Sequence, residues 1–161
     1  MPGGKFDYVQ YRLEDPAREI QARILLNRKS HAEAYQMLCE AEEKDSILYE
    51  ILYSVREFID FWKVNPLGER LPEVWDSQEK CWRLATSEEI QKHNSEPVFQ
   101  YRDEEIRAFR EGIRAIRRAA VYLERIDWLL SGDDGEEAFQ ERLAEQLAEL
   151  EKEEKEEDRQ C

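Results

Sequence analysis

Residues 103–130 read DEEIRAFREGIRAIRRAAVYLERIDWLL, and this stretch decides the fold class. Apolar side chains recur in it every three or four positions, at Ile106, Phe109, Ile113, Ile116, Ala120 and Leu123. That spacing is typical of one buried face of an α-helix. At 1.5 Å per residue such a helix is about 40 Å long, so we expect it to be the spine of a mainly α-helical domain.

Four further helices are expected, which predicts a bundle of about five. The first starts at Asp15 and Pro16 and runs to about Asn27, because Asp can cap free N–H groups and Pro suits the first helical position. Ser30 and Glu33 form a capping box that opens a second helix through Cys39. A third begins near Asp45 or Ser46 and carries apolar residues as far as Trp62. The sequence leaves open whether the second and third helices are continuous.

The last helix follows the segment Ser131-Gly132-Asp133-Asp134-Gly135. Gly132 can adopt the left-handed conformation that stops a helix, and Asp134 can cap the next one. That next helix carries a single narrow stripe, formed by Phe139, Leu143, Leu147 and Leu150. So narrow a stripe is compatible with a homodimer.

Two other segments depart from the helical pattern. Residues 3–13 are predicted to form an extended N-terminal arm that lays Phe6, Tyr8 and Tyr11 on the domain. Residues 64–101 are predicted to form an irregular insert, because Pro and Gly residues interrupt them at Pro66, Gly68, Pro72 and Pro97. The insert could contain a short β-hairpin, and a helical turn or two is expected over 87–92.

The length of 161 residues favours a single domain over residues 1–150, followed by a tail. Residues 136–161 hold 11 acidic and four basic residues, a net charge of −7. Residues 151–161 are therefore predicted to be an acidic, disordered tail.

The overall charge excludes some partners. The chain has 38 acidic and 24 basic residues, a net charge of −14, which repels nucleic acid and anionic membrane surfaces.

The three cysteines, Cys39, Cys81 and Cys161, lack the spacing of a disulfide framework or a zinc site. The sequence contains no run of 18 apolar residues. We therefore expect a cytoplasmic protein that binds neither membrane nor nucleic acid directly.

Five arginines form what we call the arginine stripe, at Arg107, Arg110, Arg114, Arg118 and Arg125. Intervals of three, four, four and seven residues place them on one helix face, roughly opposite the apolar one. Because guanidinium groups bind carboxylate and phosphate with two parallel hydrogen bonds, the stripe could hold a phosphate-bearing small molecule or an acidic partner. The alternative is that these arginines pair with the protein's own glutamates or are solvated.

Asp127 falls on the apolar side of the same helix, between Leu123 and Leu130. A buried carboxylate needs a polar partner. Lys5, Arg12 or a backbone N–H of the arm could supply it, which predicts a structural role for Asp127 in preference to a ligand-binding or catalytic one.

Acidic pairs at Glu40 and Glu43 and at Glu57 and Asp60 match in outline the Mg²⁺ ligands of all-α nucleoside triphosphate pyrophosphohydrolases. An acid-rich chain produces such pairs readily by chance, and in a helical hairpin these two would not face each other. No other residue pattern indicates a catalytic group, a metal site or a cofactor. Trp75 and Trp82, in the insert, could anchor a protein partner.

Both ends of the chain resemble a known family. The segment GGKFDY with Gln10-Tyr11-Arg12, and the segment RIDWLLSGDDGEE over residues 125–137, are similar to a widespread family of small uncharacterised bacterial and phage proteins. The resemblance leaves out the middle of the chain and implies no assigned chemistry. It does imply an origin in a mobile element, where small acidic proteins often block or sequester host components.

Three functional hypotheses follow. The first is a non-enzymatic protein that binds a protein partner, such as a phage inhibitor of a host defence component, through the arginine stripe, the Trp segment or the acidic tail. The second is a binder of a nucleotide or nucleotide signal at the arginine stripe. The third, least supported, is the Mg²⁺-dependent pyrophosphohydrolase.

Overall fold

The structure is a computed structural model that describes residues 12–55, 62–64 and 70–160. These residues form helices and a small antiparallel sheet, which confirms a mainly α-helical fold with a hairpin. Residues 3–11 of the predicted N-terminal arm, with Phe6, Tyr8 and Tyr11, lie outside them. The chain divides into two compact units, residues 21–106 and residues 1–20 with 107–161. The division falls inside the 1–150 range that the sequence analysis treated as one domain.

The described residues contain six helices and three strands. In chain order they are α1 Glu14–Leu25, α2 His31–Lys44, α3 Ser46–Tyr53, β1 Trp62–Val64, β2 Arg70–Asp76, β3 Cys81–Leu84, α4 Ser87–Ser95, α5 Asp103–Ser131 and α6 Glu136–Gln160.

The ends of α2 show why these segments are helical. The predicted capping box is present, because Ser30 Oγ accepts from the Glu33 N–H and the Glu33 carboxylate accepts from the Ser30 N–H at 2.8 Å. Asp45 has an extended backbone conformation that interrupts the helix, and its carboxylate accepts hydrogen bonds from the N–H groups of Ile47 and Leu48. Asp45 therefore separates α2 and α3 into two helices.

The main hydrophobic core lies in the unit formed by residues 21–106. Its buried residues come from the end of α1, from α2 and from α3 with the residue that follows it: Ala22, Leu26, Ala34, Leu38, Ala41, Ile51, Leu52 and Val55. The sequence predicted α5 to be the spine of the domain with its apolar face packed inward, but only Ile113 among its apolar side chains is buried. Most of the apolar face of α5 is only half-buried.

The predicted insert is more regular than expected. Strand β2 pairs antiparallel with both β1 and β3, with Trp62 opposite Pro72 and Trp75 opposite Trp82. The assignment of Trp62 to a helix was wrong, because sheet pairing overrides the helical spacing of its apolar residues. The predicted helical turn near residue 87 is a complete helix, α4, with a capping box of its own at Thr86.

Residues 96–99 return to the start of α2. The N–H of Arg28 donates to the Phe99 carbonyl at 2.9 Å, and the N–H of Val98 donates to the Lys29 carbonyl at 2.8 Å. Asn27 extends the pairing through side-chain hydrogen bonds to the backbone of Tyr101. These bonds join the beginning and the end of this unit.

In the other unit, α5 and α6 are joined by a tight turn. Gly132 adopts a positive φ of 80°, and the N–H of Asp133 donates to the carbonyl of Trp128 at 3.0 Å. With the bond from the Gly132 N–H to Leu129, this is the Schellman motif, which confirms the predicted helix stop. Helix α6 continues to Gln160 and so includes residues 151–160, which the sequence analysis expected to lack regular structure.

Candidate functional site

The exposed face of the β2–β3 hairpin presents three large apolar side chains. Trp75, Trp82 and Leu84 are 52%, 56% and 59% exposed, and we call this group the Trp face. The two indole rings are directly paired across the strands, with centroids 5.6 Å apart and planes at 67°. Edge-to-face packing of this kind stabilises the pair, and about half of each side chain remains exposed. Exposed apolar groups that lie together are typical of binding surfaces.

The opposite face of the hairpin is fixed by Arg83. Its guanidinium donates two hydrogen bonds to the Glu89 carboxylate, at 2.8 and 2.9 Å, and a third to Asp76 at 3.3 Å. Because successive side chains of a strand alternate between faces, Arg83 lies on the side away from Trp82. This link ties β3 to α4 and turns the two tryptophans toward solvent.

The pKa values of these groups follow from the same contacts. The hydrogen bonds from Arg83, and then one from the Thr86 N–H, lower the pKa of Glu89 to about 2. Glu89 in turn raises the pKa of Arg83. Backbone donors from Glu79 and Gln78 lower the pKa of Asp76. All three groups are therefore charged at neutral pH.

The hairpin and the start of α4 are rich in acidic residues. Residues 73–89 contain five acids and two bases, a net charge of −3. One of the two bases, Arg83, is paired with Asp76 and Glu89. The segment as a whole therefore carries excess negative charge, which favours a partner that has basic residues around an apolar recess.

The arginine stripe does not face open solvent along its whole length. Arg114 pairs with Asp158, and Arg118 Nη2 lies 3.7 Å from Glu151 Oε1. Arg107 and Arg110 also make contacts within the protein. The contacts of Arg114 and Arg118 agree with the alternative interpretation, in which these arginines pair with the protein's own acids. They leave less guanidinium surface for a nucleotide.

Arg125 requires a correction, because it is 3% exposed. Its Nη1 donates to Asp134 Oδ2 at 3.2 Å, and its guanidinium lies 4.0 Å from the centre of the Trp128 ring. A helical wheel places Arg125 on the face of Arg107, but the turn after α5 folds back over this end of the helix. Asp134, the predicted helix cap, instead accepts from Arg125 and Arg142.

Asp127 is 2% exposed, as the sequence predicted. It is engaged by a polar or charged group within the fold. Lys5, one of its predicted partners, lies outside the described residues. Its burial favours the structural role over a role in ligand binding.

The remaining candidates offer no chemistry within the part of the chain that the structure describes. There, no three His, Cys, Asp or Glu side chains are placed to hold a metal ion. Glu40 accepts from Gln36 on an exposed face of α2, and Glu57 and Asp60 lie outside the described residues. Among the described helices, none has the length and apolar character needed to cross a bilayer.

Two further candidate residues were not predicted from the sequence. Leu84 completes the Trp face, and its spacing of two residues from Trp82 in a strand could have indicated this. Arg117 Nη1 donates to Glu157 at 2.9 Å, one turn from Arg114, although it lies outside the predicted stripe. No local pattern would have identified Arg117, because its partner is 40 residues away.

Comparison of the chain with protein families, with curated proteins and with solved structures found no match. The family resemblance of the two chain ends therefore stays a prediction.

Proposed function

We propose that this protein acts by binding a partner protein through the Trp face and does not catalyse a reaction. The observation that carries the proposal is the paired, exposed position of Trp75 and Trp82 on a hairpin whose other face is held to α4. Tryptophan is enriched among the few residues that dominate binding energy at interfaces. A rigid hairpin also reduces the entropy lost when these side chains are covered.

The chemistry of the surface restricts the partner. Leu84 and the two indoles require an apolar recess, and the net charge of −3 over residues 73–89 favours lysine or arginine around it. Charge complementarity of this kind increases the association rate and makes it sensitive to salt. The resemblance to small phage proteins extends the proposal to a host component in the cytoplasm, and this extension rests on the resemblance alone.

The test compares the wild-type chain with Trp75→Ala/Trp82→Ala as bait. Proteins retained by the wild type and lost by the double variant are purified, and their affinity is measured by calorimetry. Loss of one buried Trp anchor should weaken binding about 30-fold. Tyr122→Ala is the matched control, because Tyr122 is another exposed aromatic residue, 42% exposed, far from the hairpin in sequence.

Three outcomes would contradict the proposal. One is equal affinity of the wild type and the double variant for every purified partner. Another is an equal loss of affinity with Tyr122→Ala. The third is self-association that the double variant abolishes in sedimentation experiments, because the Trp face would then be a homodimer contact.

A further inference from the structure

Within the part of the chain that the structure describes, ion pairs to α5 are the polar contacts of the last ten residues of α6. Residues 151–160, which we call the acidic segment, read EKEEKEEDRQ and contain no apolar side chain. The last apolar residue of the helix is Leu150, which is buried. Hydrophobic burial therefore fixes α6 only up to this point.

The acidic segment contacts three arginines that lie close together on α5. Arg114 donates to Asp158, Arg117 Nη1 donates to Glu157 Oε1 at 2.9 Å, and Arg118 Nη2 lies 3.7 Å from Glu151 Oε1. We call Arg114, Arg117 and Arg118 the arginine surface. Between a quarter and a half of each arginine side chain remains exposed, and the paired acids are slightly more than half exposed.

Such a contact is weak and open to competition. Ion pairs between solvent-exposed groups contribute little net stability, and salt screens them. Glu154 Oε1 is buried without a hydrogen-bond partner among the described residues, so Glu154 contributes through its charge, which helps to raise the pKa of Arg114.

We propose that the arginine surface is a binding site for an acidic polypeptide segment, and that residues 151–160 occupy this site as a displaceable internal ligand. The occupant is defined by its chemistry, which is that of an acidic helical segment. It offers two adjacent carboxylates, Glu157 and Asp158, and a third six residues earlier at Glu151, and these pair with Arg117, Arg114 and Arg118 respectively. A partner that offers such a segment competes with the acidic segment for the same guanidinium groups. This inference does not depend on the proposed function of the Trp face.

The test uses the full chain with the internal ligand weakened. The variant Glu151→Gln/Glu157→Gln/Asp158→Asn, which we call the released variant, removes the three carboxylates that pair with the arginine surface. Glu141→Gln/Glu145→Gln/Glu156→Gln removes three charges from positions of α6 that make no ion pair with described residues. The probe is a fluorescent synthetic peptide with the sequence of residues 150–160, and anisotropy reports its binding.

The released variant should bind the peptide about tenfold more tightly than the wild type, if the internal ligand occupies the site about nine-tenths of the time. Both the wild type and the control variant should bind it weakly. Adding Arg114→Gln/Arg118→Gln should abolish the gain, and so should high salt. A second measurement needs no variant: hydrogen exchange over residues 151–160 should accelerate as NaCl rises, while exchange over 136–149 does not.

Several results would overturn the proposal. They are equal peptide affinity of the released and control variants, a gain that survives the arginine substitutions, and equal binding of a peptide whose acids are all replaced by Gln. Binding of inorganic pyrophosphate to the released variant without binding of the peptide would also overturn it, since the site would then select phosphate. So would exchange over residues 151–160 that does not respond to salt.

Discussion

Arg125 and Asp134 form a buried ion pair across the turn between α5 and α6. Arg125 Nη1 donates to Asp134 Oδ2 at 3.2 Å, and the side chains are 4% and 0% exposed. Arg142, on the first turns of α6, reaches the other oxygen of the same carboxylate. The carboxylate of Asp134 thus links the end of α5 to the beginning of α6, close to Gly132.

The first prediction is that Asp134→Ala strongly destabilises this unit. The substitution leaves the guanidinium of Arg125 buried without its counter-charge, and breaking a buried pair in this way costs about 3–5 kcal/mol. Urea unfolding followed by circular dichroism measures the change in free energy.

Asp133→Ala is the control, because the adjacent carboxylate is exposed. We expect it to change stability by less than about 0.5 kcal/mol. If Asp134→Ala cost no more than this control, the pair would not be what closes the turn.

Local sequence signals predicted the beginnings and ends of helices. The capping box at Ser30, the helix stop at Gly132 and the extent of α5 are all confirmed. Each depends on backbone groups within a few residues, so the chain nearby contains all the information needed.

Tertiary packing decided what the local signals could not. Arg125 and Arg107 share a helix face, yet Arg125 is buried because the returning turn covers it. The contacts of Arg114 and Arg118 likewise depend on a helix more than 30 residues further along the chain. The strand register places Trp75 and Trp82 on the same exposed face. This register could not be predicted from the sequence, because prolines interrupt the pattern of the segment.

The second prediction concerns the acid stability of the hairpin. Hydrogen bonds from Arg83 lower the pKa of Glu89 to about 2 from its ordinary value of 4.5. A carboxyl group whose pKa is lower in the folded state stabilises that state above its unfolded pKa. This contribution should therefore be lost as the pH falls from 4.5 toward 2.

Urea unfolding at several pH values between 6 and 2.5 tests this dependence. Glu89→Gln should reduce the pH dependence, since Gln cannot titrate. Glu88→Gln, which removes the neighbouring charge, should retain the wild-type dependence. Identical curves for the wild type and Glu89→Gln would refute the proposed link between Arg83 and Glu89.

The third prediction is a loss of stability in mild acid through His93. Partial burial, and then the charge of His31, lower the pKa of His93 below 6.5, while Glu96 acts in the opposite direction. The two rings lie 4.0 Å apart, and His31 Nδ1 is 2.8 Å from the Glu96 carbonyl. The folded state therefore binds fewer protons than the unfolded state just below pH 6.5.

The free energy of unfolding should thus be unaffected by His93 above pH 6.5, and it should decrease as the pH falls from 6.5 toward the lower pKa of His93 in the folded state. His93→Gln should remove most of the decrease, and the urea midpoint measured between pH 8 and 5.5 would show it. A variant that loses stability as steeply as the wild type would exclude His93 as the titrating group.

The fourth prediction is that loss of the capping box of α2 destabilises the protein more than loss of the capping box of α4. Ser30 caps α2, which contributes Ala34, Leu38 and Ala41 to the core, whereas Thr86 caps α4, which has no buried residue. Loss of a capping side chain costs about 1 kcal/mol of helix stability. Ser30→Ala should therefore lower the free energy of global unfolding by about that amount.

Thr86→Ala should act locally instead. Because α4 buries less than α2, amide exchange over residues 87–95 should accelerate, and the urea midpoint should fall less than it does in Ser30→Ala. Ser46→Ala, at an exposed position with no capping role, should alter neither measurement. If Thr86→Ala lowered global stability as much as Ser30→Ala, α4 would unfold only together with the core, and the hairpin that it holds through Glu89 and Arg83 would be part of the same cooperative unit.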